Sequence, residues 1–314
     1  DWSSDVCSSD LEGLNGERVD AALSRVLGIS RTVATTLIEA GEVKRNGKEL
    51  TKSEKVLTGE HFEVLMPEVK GAAGLTPTPI ENLRVVYDDA DVIVIDKPVG
   101  IAAHPSPGWH GPTVIGAIVA AGYEVATSGV AERQGIVQRL DVGTSGLMVV
   151  AKNESSYSEM KEQFRSRSVK KVYHALIQGH MDPSEGTIDA PIDRHPRDDY
   201  KFAVTAGGKP SITHYKSIEF FPAVTLLEVE LESGRTHQIR VHFSALRHPL
   251  VGDLIYGADH TIADRLKLER PWLHACRLEF KHPRTGELLT FTSEYPADLK
   301  ESLEILRNTE PRKG

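Results

Sequence analysis

The stretch GIVQRLDVGTSGLMVVA, residues 135–151, sets one carboxylate, Asp141, and one arginine, Arg139, between two apolar runs joined by a Gly-Thr-Ser-Gly turn. The flanking runs, 136–140 and 147–151, read as strands because β-branched residues and leucines crowd them. An acid at the mouth of two buried strands is held rigidly and partly desolvated, and desolvation disfavours its charged form. To stay ionised as a nucleophile it needs a cation nearby. The plainer reading is that Asp141 caps the turn and Arg139 lies on the surface.

A second stretch, GRTHQIRVHF at 234–243, bears on that choice. Ile239, Phe243 and Leu246 recur at helical spacing, and Thr236 is a candidate cap, which predicts a helix over 236–246. Arg235 then stands at a helix entrance, where a guanidinium can pair with a carboxylate and lower its pKa. The alternative is a purely structural ion pair.

Working outward, apolar runs predict further strands at 91–96, 172–177, 225–231, 278–281 and 288–292. Apolar periodicity predicts helices at 114–121, 155–165 and 296–307. Strands and helices do not alternate regularly. This disfavours a parallel Rossmann sheet and predicts an α+β domain with a mixed, mainly antiparallel sheet over 85–314. Residues 68–84, with Gly71, Gly74, Pro77 and Pro79, read as a linker.

Upstream, 12–67 reads as a small α+β module. Val19, Leu23, Val26 and Leu27 have helical spacing with Asn15 as a candidate cap. Ser30 precedes a second set, Val33, Leu37 and Ile38, that stops at Gly41. Asn46-Gly47 predicts a tight hairpin turn and residues 62–66 a closing strand. The first eleven residues, DWSSDVCSSDL, show no apolar period and resemble an in-frame translation of a sequencing-adapter oligonucleotide. They are expected to be non-native, with the natural N-terminus missing and Cys7 foreign. That would leave Cys276 as the native cysteine, which excludes a disulfide framework or a multi-cysteine metal site.

The 314 residues are 39% apolar, enough for a packed core, and no run approaches the ~20 apolar residues of a membrane span. The net charge of −8 has the wrong sign for a protein that coats nucleic acid, although a local basic groove remains compatible with it. There is no phosphate-binding P-loop, dinucleotide fingerprint, H-E-x-x-H or zinc-deaminase pattern. Two cysteines point to a reducing compartment, so the cytoplasm is expected.

Two resemblances follow from these motifs. Gly16-x-Arg18-x-Asp20-x-x-Leu23, Ile29-Ser30-Arg31, Ile38-x-x-Gly41-x-Val43 and Asn46-Gly47 resemble an S4-type RNA-binding domain. The resemblance implies that Arg31, Lys44, Arg45 and Lys48 face RNA; a solvated charged face is the alternative. Arg-Leu-Asp-x-x-Thr-Ser-Gly-Leu and Gly-Arg-Thr-His-Gln-Ile-Arg-x-His resemble the RluA-type pseudouridine synthase family, nearest its large-subunit rRNA branch, synthase D. Asp96-Lys97-Pro98, His104-Pro105, Lys171-x-Tyr173, Arg194-His195-Pro196 and Leu273-His274-Ala275 extend the likeness.

The family resemblance implies that Asp141 is the catalytic nucleophile and that Arg235 pairs with it. Tyr173 would pack on the uracil, and Arg139 would fill the space left by the flipped nucleotide. The family usually has His before Arg-Leu-Asp, whereas this chain has Gln138, which keeps hydrogen-bonding capacity. Arg165, Lys170 and Lys171 are candidate contacts to the RNA backbone, with Arg194, Arg197 and Lys201 near the rim. Isomerisation of uridine involves no net redox change or hydrolysis, so no metal or small-molecule cofactor is expected. The expected partner is RNA, either large-subunit rRNA or a pre-ribosomal particle, met by a monomer. A synthase acting on tRNA or another rRNA site, and a silent RNA-binding or assembly factor, stay open.

Overall fold

The computed structural model describes residues 3–6, 14–27, 31–57, 60–65, 77–81, 83–106, 108–127, 134–198 and 200–308. Ser30 as a cap, Cys7 and most of the expected linker lie outside them.

In the N-terminal module, β1 (Ser3–Val6) precedes α1 (Val19–Val26), α2 (Arg31–Glu39), β2 (Val43–Arg45), β3 (Lys48–Glu49) and β4 (Phe62–Leu65). Val19, Leu23, Leu37, Ile38, Val43, Phe62 and Val64 form its buried core. Asn46 and Gly47 both take positive φ, 51° and 78°, and close the β2–β3 hairpin. Helix α1 begins at Val19, so Asn15 is not its cap; Arg18 occupies that place and pairs with Asp20 instead. Residues 3–6, within the segment expected to be non-native, pair antiparallel with β4. A free sheet edge offers unpaired N–H and C=O groups that an added segment can satisfy.

The second unit is built on one nine-stranded sheet. Its path runs β5 (Arg84–Asp88), β6 (Val92–Lys97), β7 (Ser145–Ala151), β14 (Leu273–Lys281), β8 (Lys170–Gln178), β13 (Val224–Leu231), β12 (Ile212–Phe220) and β9 (Glu185–Asp189), with β15 (Leu288–Thr292) on β14. The β7–β14 pair is parallel and the other pairs are antiparallel, which is the mixed sheet expected. A short hairpin, β10 (Ile192–Arg194) with β11 (Phe202–Val204), projects from the sheet's sequence between β9 and β12. The helices are α3 (Val114–Ala120), α4 (Glu154–Arg165), α5 (Gln238–Ala245), α6 (His260–Arg265) and α7 (Ala297–Asn308).

Two expectations are corrected. Residues 136–140 are not a strand: Ile136 makes a single bridge to Val150, and Gly135 turns the chain at φ 71°. The run is apolar because Ile136, Val137 and Leu140 are buried against the sheet, not because it joins a ladder. Helix α5 starts at Gln238 rather than Thr236, because a buried side chain supplies the stop. Gln238 Oε1 accepts from Arg235 N–H and Ser233 O–H, while its Nε2 donates to Ile212 O and Thr213 Oγ1.

The close approach of β7 to β14 brings the site together. Gly146 takes φ +113°, and a Cβ there would stand 2.3 Å from Ala275 O. Ala275 is in turn opposite Tyr173 on β8. The turn that carries Asp141, four residues before β7, is thereby set beside Tyr173. Arg270, clamped by Asp298 at 2.6 and 3.0 Å, donates to Gly143 O at 3.2 Å and ties that turn to α7.

His274 anchors the same junction. Its Nε2–H donates to Ser293 O and its Nδ1 accepts from Ser145 O–H at 3.0 Å. Burial pushes its pKa down to about 4, so the ring is neutral in the fold. The unfolded chain takes up this proton near its ordinary pKa of about 6.5 while the folded chain does not. Stability is therefore expected to fall between pH 6.5 and 4, His274 contributing up to about 3 kcal/mol of the loss. Urea unfolding at stepped pH checks this, with a shallower decline expected in His274→Asn.

Candidate active site

A cleft of about 900 Å³ opens over the Asp141 turn, and Gln138, Arg139, Asp141, Tyr173, Arg165, Lys171 and Arg235 all line it. Lys161, Arg167, His237 and Arg240 line it too, and with Glu162 and Glu232 as its acidic residues besides Asp141, Lys and Arg outnumber Asp and Glu, so the cleft is basic although the chain is acidic. Lys170 lies beside it on β8, paired with Glu230 at 3.3 Å.

The cation that holds Asp141 is Arg240, not Arg235. Arg240 Nη1 stands 3.4 Å from Asp141 Oδ2, and the same guanidinium clamps Asp253 at 2.6 and 2.9 Å. Arg235 is exposed and donates instead to Pro210 O at 3.3 Å. The reason is the delayed helix start. Arg235 sits in the turn before α5, whereas Arg240 lies in the first turn of the helix and faces inward, only 6% exposed. Burial works against the guanidinium's charge, but the hydrogen bonds and charge of Asp253, with Asp141 behind them, hold its pKa above the ordinary arginine value. Asp253, 1% exposed, is satisfied by this fork.

Three more groups surround the carboxylate. His237 Nε2 is 3.8 Å from Asp141 Oδ2. Tyr173 is buried, and burial with the Asp141 charge pushes its phenol well above the ordinary value, so it remains protonated. Lys97 is fully buried and donates to Pro98 O and Ile101 O. Burial pushes its amine down to about 7, against the upward pull of Asp141. Gln138 Nε2 is buried and has no hydrogen-bond partner among the described residues. At the rim, burial lowers Lys171 to about 8, and its Nζ lies 5.9 Å from the Phe164 ring centroid. Arg165 is exposed and paired with Glu162.

The candidate residues of the N-terminal module do not line this cleft. Arg31 pairs with Asp20 at 3.0 Å, and Arg45 pairs with Glu54 and Glu60. Lys44 is exposed and sits in register with Glu49 and Glu63. Burial opposes the Asp20 charge, but hydrogen bonds from Arg18 and Arg31 outweigh it and hold that carboxyl at about 2.

Sequence reading assigned no role to Arg240, His237, Asp253 or Tyr256. Arg240 and His237 were in view within the 234–243 motif, but choosing between Arg235 and Arg240 needs the helix start, which a tertiary contact decides. Elsewhere, Asp89, Asp91 and His282 bring ligand-type atoms within 4.8 Å of one another. His282 Nδ1 accepts the N–H groups of Arg284 and Thr285, so its Nε2–H donates to Asp89, and Arg284 stands 2.7 Å from Asp91. The His282–Asp89 hydrogen bond clasps the β5–β6 turn to the end of β14, and a cation would have to displace that bond and the Arg284 guanidinium beside Asp91.

With the geometry in view, comparisons with known proteins place the chain. The family described as RNA pseudouridylate synthase matches residues 91–245, and the S4 domain matches 17–62. A Mycobacterium bovis protein named "uncharacterized RNA pseudouridine synthase Mb1567" is 54% identical over 296 residues, covering 94% of this chain and 96% of its own. A Nitrosomonas europaea protein named "ribosomal large subunit pseudouridine synthase D" is 39% identical, covering 95% of this chain and 86% of its own. The solved structure titled "human RNA pseudouridylate synthase domain containing 1" is 28% identical with a TM-score of 0.56, over 74% of this chain and 98% of that one.

The two arginines predict different costs. Arg240→Gln leaves Asp253 buried without its partner and is expected to lose about 3–5 kcal/mol of folding stability. Arg235→Gln is expected to change stability by less than about 0.5 kcal/mol. Urea unfolding of both variants measures the contrast.

Proposed function

We propose, from the premise that this chain belongs to the RNA pseudouridylate synthase family, that it isomerises uridine in large-subunit rRNA with Asp141 as nucleophile. The enzyme is an RNA pseudouridine synthase, an isomerase. The observation that carries the nucleophile assignment is that, of the three carboxylates lining the cleft, Asp141 is the one held by Arg240 beside Tyr173, while Glu162 pairs with Arg165 and Glu232 with Arg167 and His214.

The proposed chemistry balances without an external reagent. Asp141 attacks C1′, and the N1–C1′ bond breaks with its electron pair going to uracil. The base rotates, C5 bonds to C1′, and the carboxylate leaves with its electrons. C5 then loses its proton and N1 gains one. Tyr173 packs against the base through this rotation. Arg139, exposed at the cleft mouth, occupies the gap in the stack, which helps offset the few kcal/mol that base extrusion costs. Arg165, Lys170 and Lys171 offer phosphate contacts, and Gln138 offers a buried donor to the nucleotide. Arg31, Lys44 and Arg45 would extend the RNA contact from the S4 domain, with Arg31 and Arg45 exchanging carboxylate partners for phosphate.

The rRNA target rests on relatives named for the large ribosomal subunit, from Nitrosomonas europaea and Neisseria meningitidis, each 39% identical over most of this chain. The test is tritium release from C5-labelled uridine in unmodified large-subunit rRNA. Release is expected from the wild type, and Asp141→Asn is expected to lose at least about 10³-fold in rate while keeping RNA affinity. Activity in Asp141→Asn would remove the nucleophile assignment. Release from tRNA but not from rRNA would move the target.

A further inference from the structure

Two side chains from the start of α5 converge on one oxygen of Asp141. Arg240 Nη1 is 3.4 Å and His237 Nε2 is 3.8 Å from Oδ2. Among the described residues, no hydrogen bond reaches Oδ1. His237 is held in the left-handed region at φ 56°, a conformation uncommon for a residue with a side chain and retained where the surroundings impose it.

The His237 ring is held by Tyr256, the last residue of the 3-10 turn Leu254–Tyr256 that follows Asp253. The Tyr256 oxygen accepts the Phe202 N–H at 3.0 Å and lies 2.8 Å from His237 Nδ1. A phenol has one proton to donate, and Nδ1 is its one hydrogen-bond acceptor among the described residues. The hydroxyl therefore donates to Nδ1, and a neutral imidazole that accepts at Nδ1 carries its proton on Nε2, the nitrogen facing Asp141. The ring is neutral: burial lowers its pKa, with Arg240 and Arg139 pushing the same way and Asp141 and Asp253 opposing. The Tyr256 ring also lies under Arg240, whose Cζ is 4.8 Å from the ring centroid.

We propose that Tyr256 is a positioning residue: it locks His237 in the Nε2–H tautomer and seats Arg240. Arg240 thereby donates to Asp141 Oδ2 while the His237 Nε2–H is aimed at the same oxygen from 3.8 Å, beyond hydrogen-bond distance in this structure, and Oδ1 is the oxygen that bonds to C1′. The proposal rests on Asp141 being the nucleophile. Donors aimed at Oδ2 orient the carboxylate for attack and stabilise the charge that returns to it when C5–C1′ forms and the carboxylate leaves.

Tyr256→Phe tests this, because it keeps the ring beneath Arg240 and removes only the hydroxyl. The single-turnover rate of tritium release from C5-labelled large-subunit rRNA is expected to fall roughly tenfold, with the RNA KM within about twofold of wild type. His237→Gln, whose amide can place a donor near the Nε2 position, is expected to retain clearly more rate than His237→Ala. Imidazole nitrogen NMR on the free protein, with His237 assigned by its loss in His237→Gln, should show the Nε2–H tautomer in wild type and a mixture in Tyr256→Phe. A wild-type Nδ1–H tautomer, or a Tyr256→Phe enzyme with full rate or a raised KM alone, overturns the positioning role. Activity in Asp141→Asn overturns both this role and the nucleophile assignment. A silent Asp141→Asn beside a fully active Tyr256→Phe overturns the positioning role alone.

Discussion

A guanidinium taken out of water needs a partner at each of its three nitrogens, and the site is organised around how Arg240 meets that demand. Desolvation of such a group costs several kcal/mol unless well-placed carboxylates and hydrogen bonds offset it. Asp253 supplies a two-point clamp, Asp141 accepts from the remaining arm, and the Tyr256 ring covers one face. None of these partners comes from α5 itself. The helix must sit at one angle and one register for all three to reach it. Gln238 fixes that register by binding the preceding turn and β12 together. Asp141 is consequently placed by a charge pair that the fold must complete in order to be stable.

The sheet provides the opposite wall by a constraint of space rather than charge. The contact between Gly146 and Ala275 leaves no room for a Cβ, and it draws β7 alongside β14 so that Asp141 and Tyr173 share a cleft. Lys97 pins the loop after β6 through two carbonyls, and Gly100 N–H in that loop reaches Val142 O beside Asp141. The turn is gripped from both sides, by Arg270 at Gly143 and by Gly100 at Val142. An acidic protein can still present a basic cleft because Arg139, Lys161, Arg165, Arg167 and Lys171 gather on one rim. Phosphate binding depends on that local field rather than on the net charge.

Much of this was legible in the residues. Fully buried runs such as β6 and β7, and amphipathic α4, announce themselves because burial on known faces leaves a clear apolar pattern. Asp141 and Tyr173 were identified from motifs and do share the cleft. Strand β12 escaped because one side is wet and its sequence mixes Thr, His, Lys and Glu with apolar residues. Residues 136–140 misled because burial against a sheet and membership of a sheet leave the same apolar signature. The choice between Arg235 and Arg240 turned on a helix start set by the Gln238 side chain rather than by a local cap. Tyr256 and Asp253 reach the site through the chain's path in space, thirteen and twelve residues after Phe243 and Val241 respectively in the numbering, at a distance no short motif spans.

Asp253 touches Arg240 and makes no hydrogen bond to Asp141, so its effect on the reaction is expected to run through the guanidinium. A double-mutant cycle with Asp253→Asn and Arg240→Lys, read as single-turnover tritium release from C5-labelled large-subunit rRNA, addresses it directly. Strong coupling is expected, with the double variant within about twofold of the Arg240→Lys enzyme. Losses that multiply independently would show that the two residues serve the reaction separately, and would contradict it.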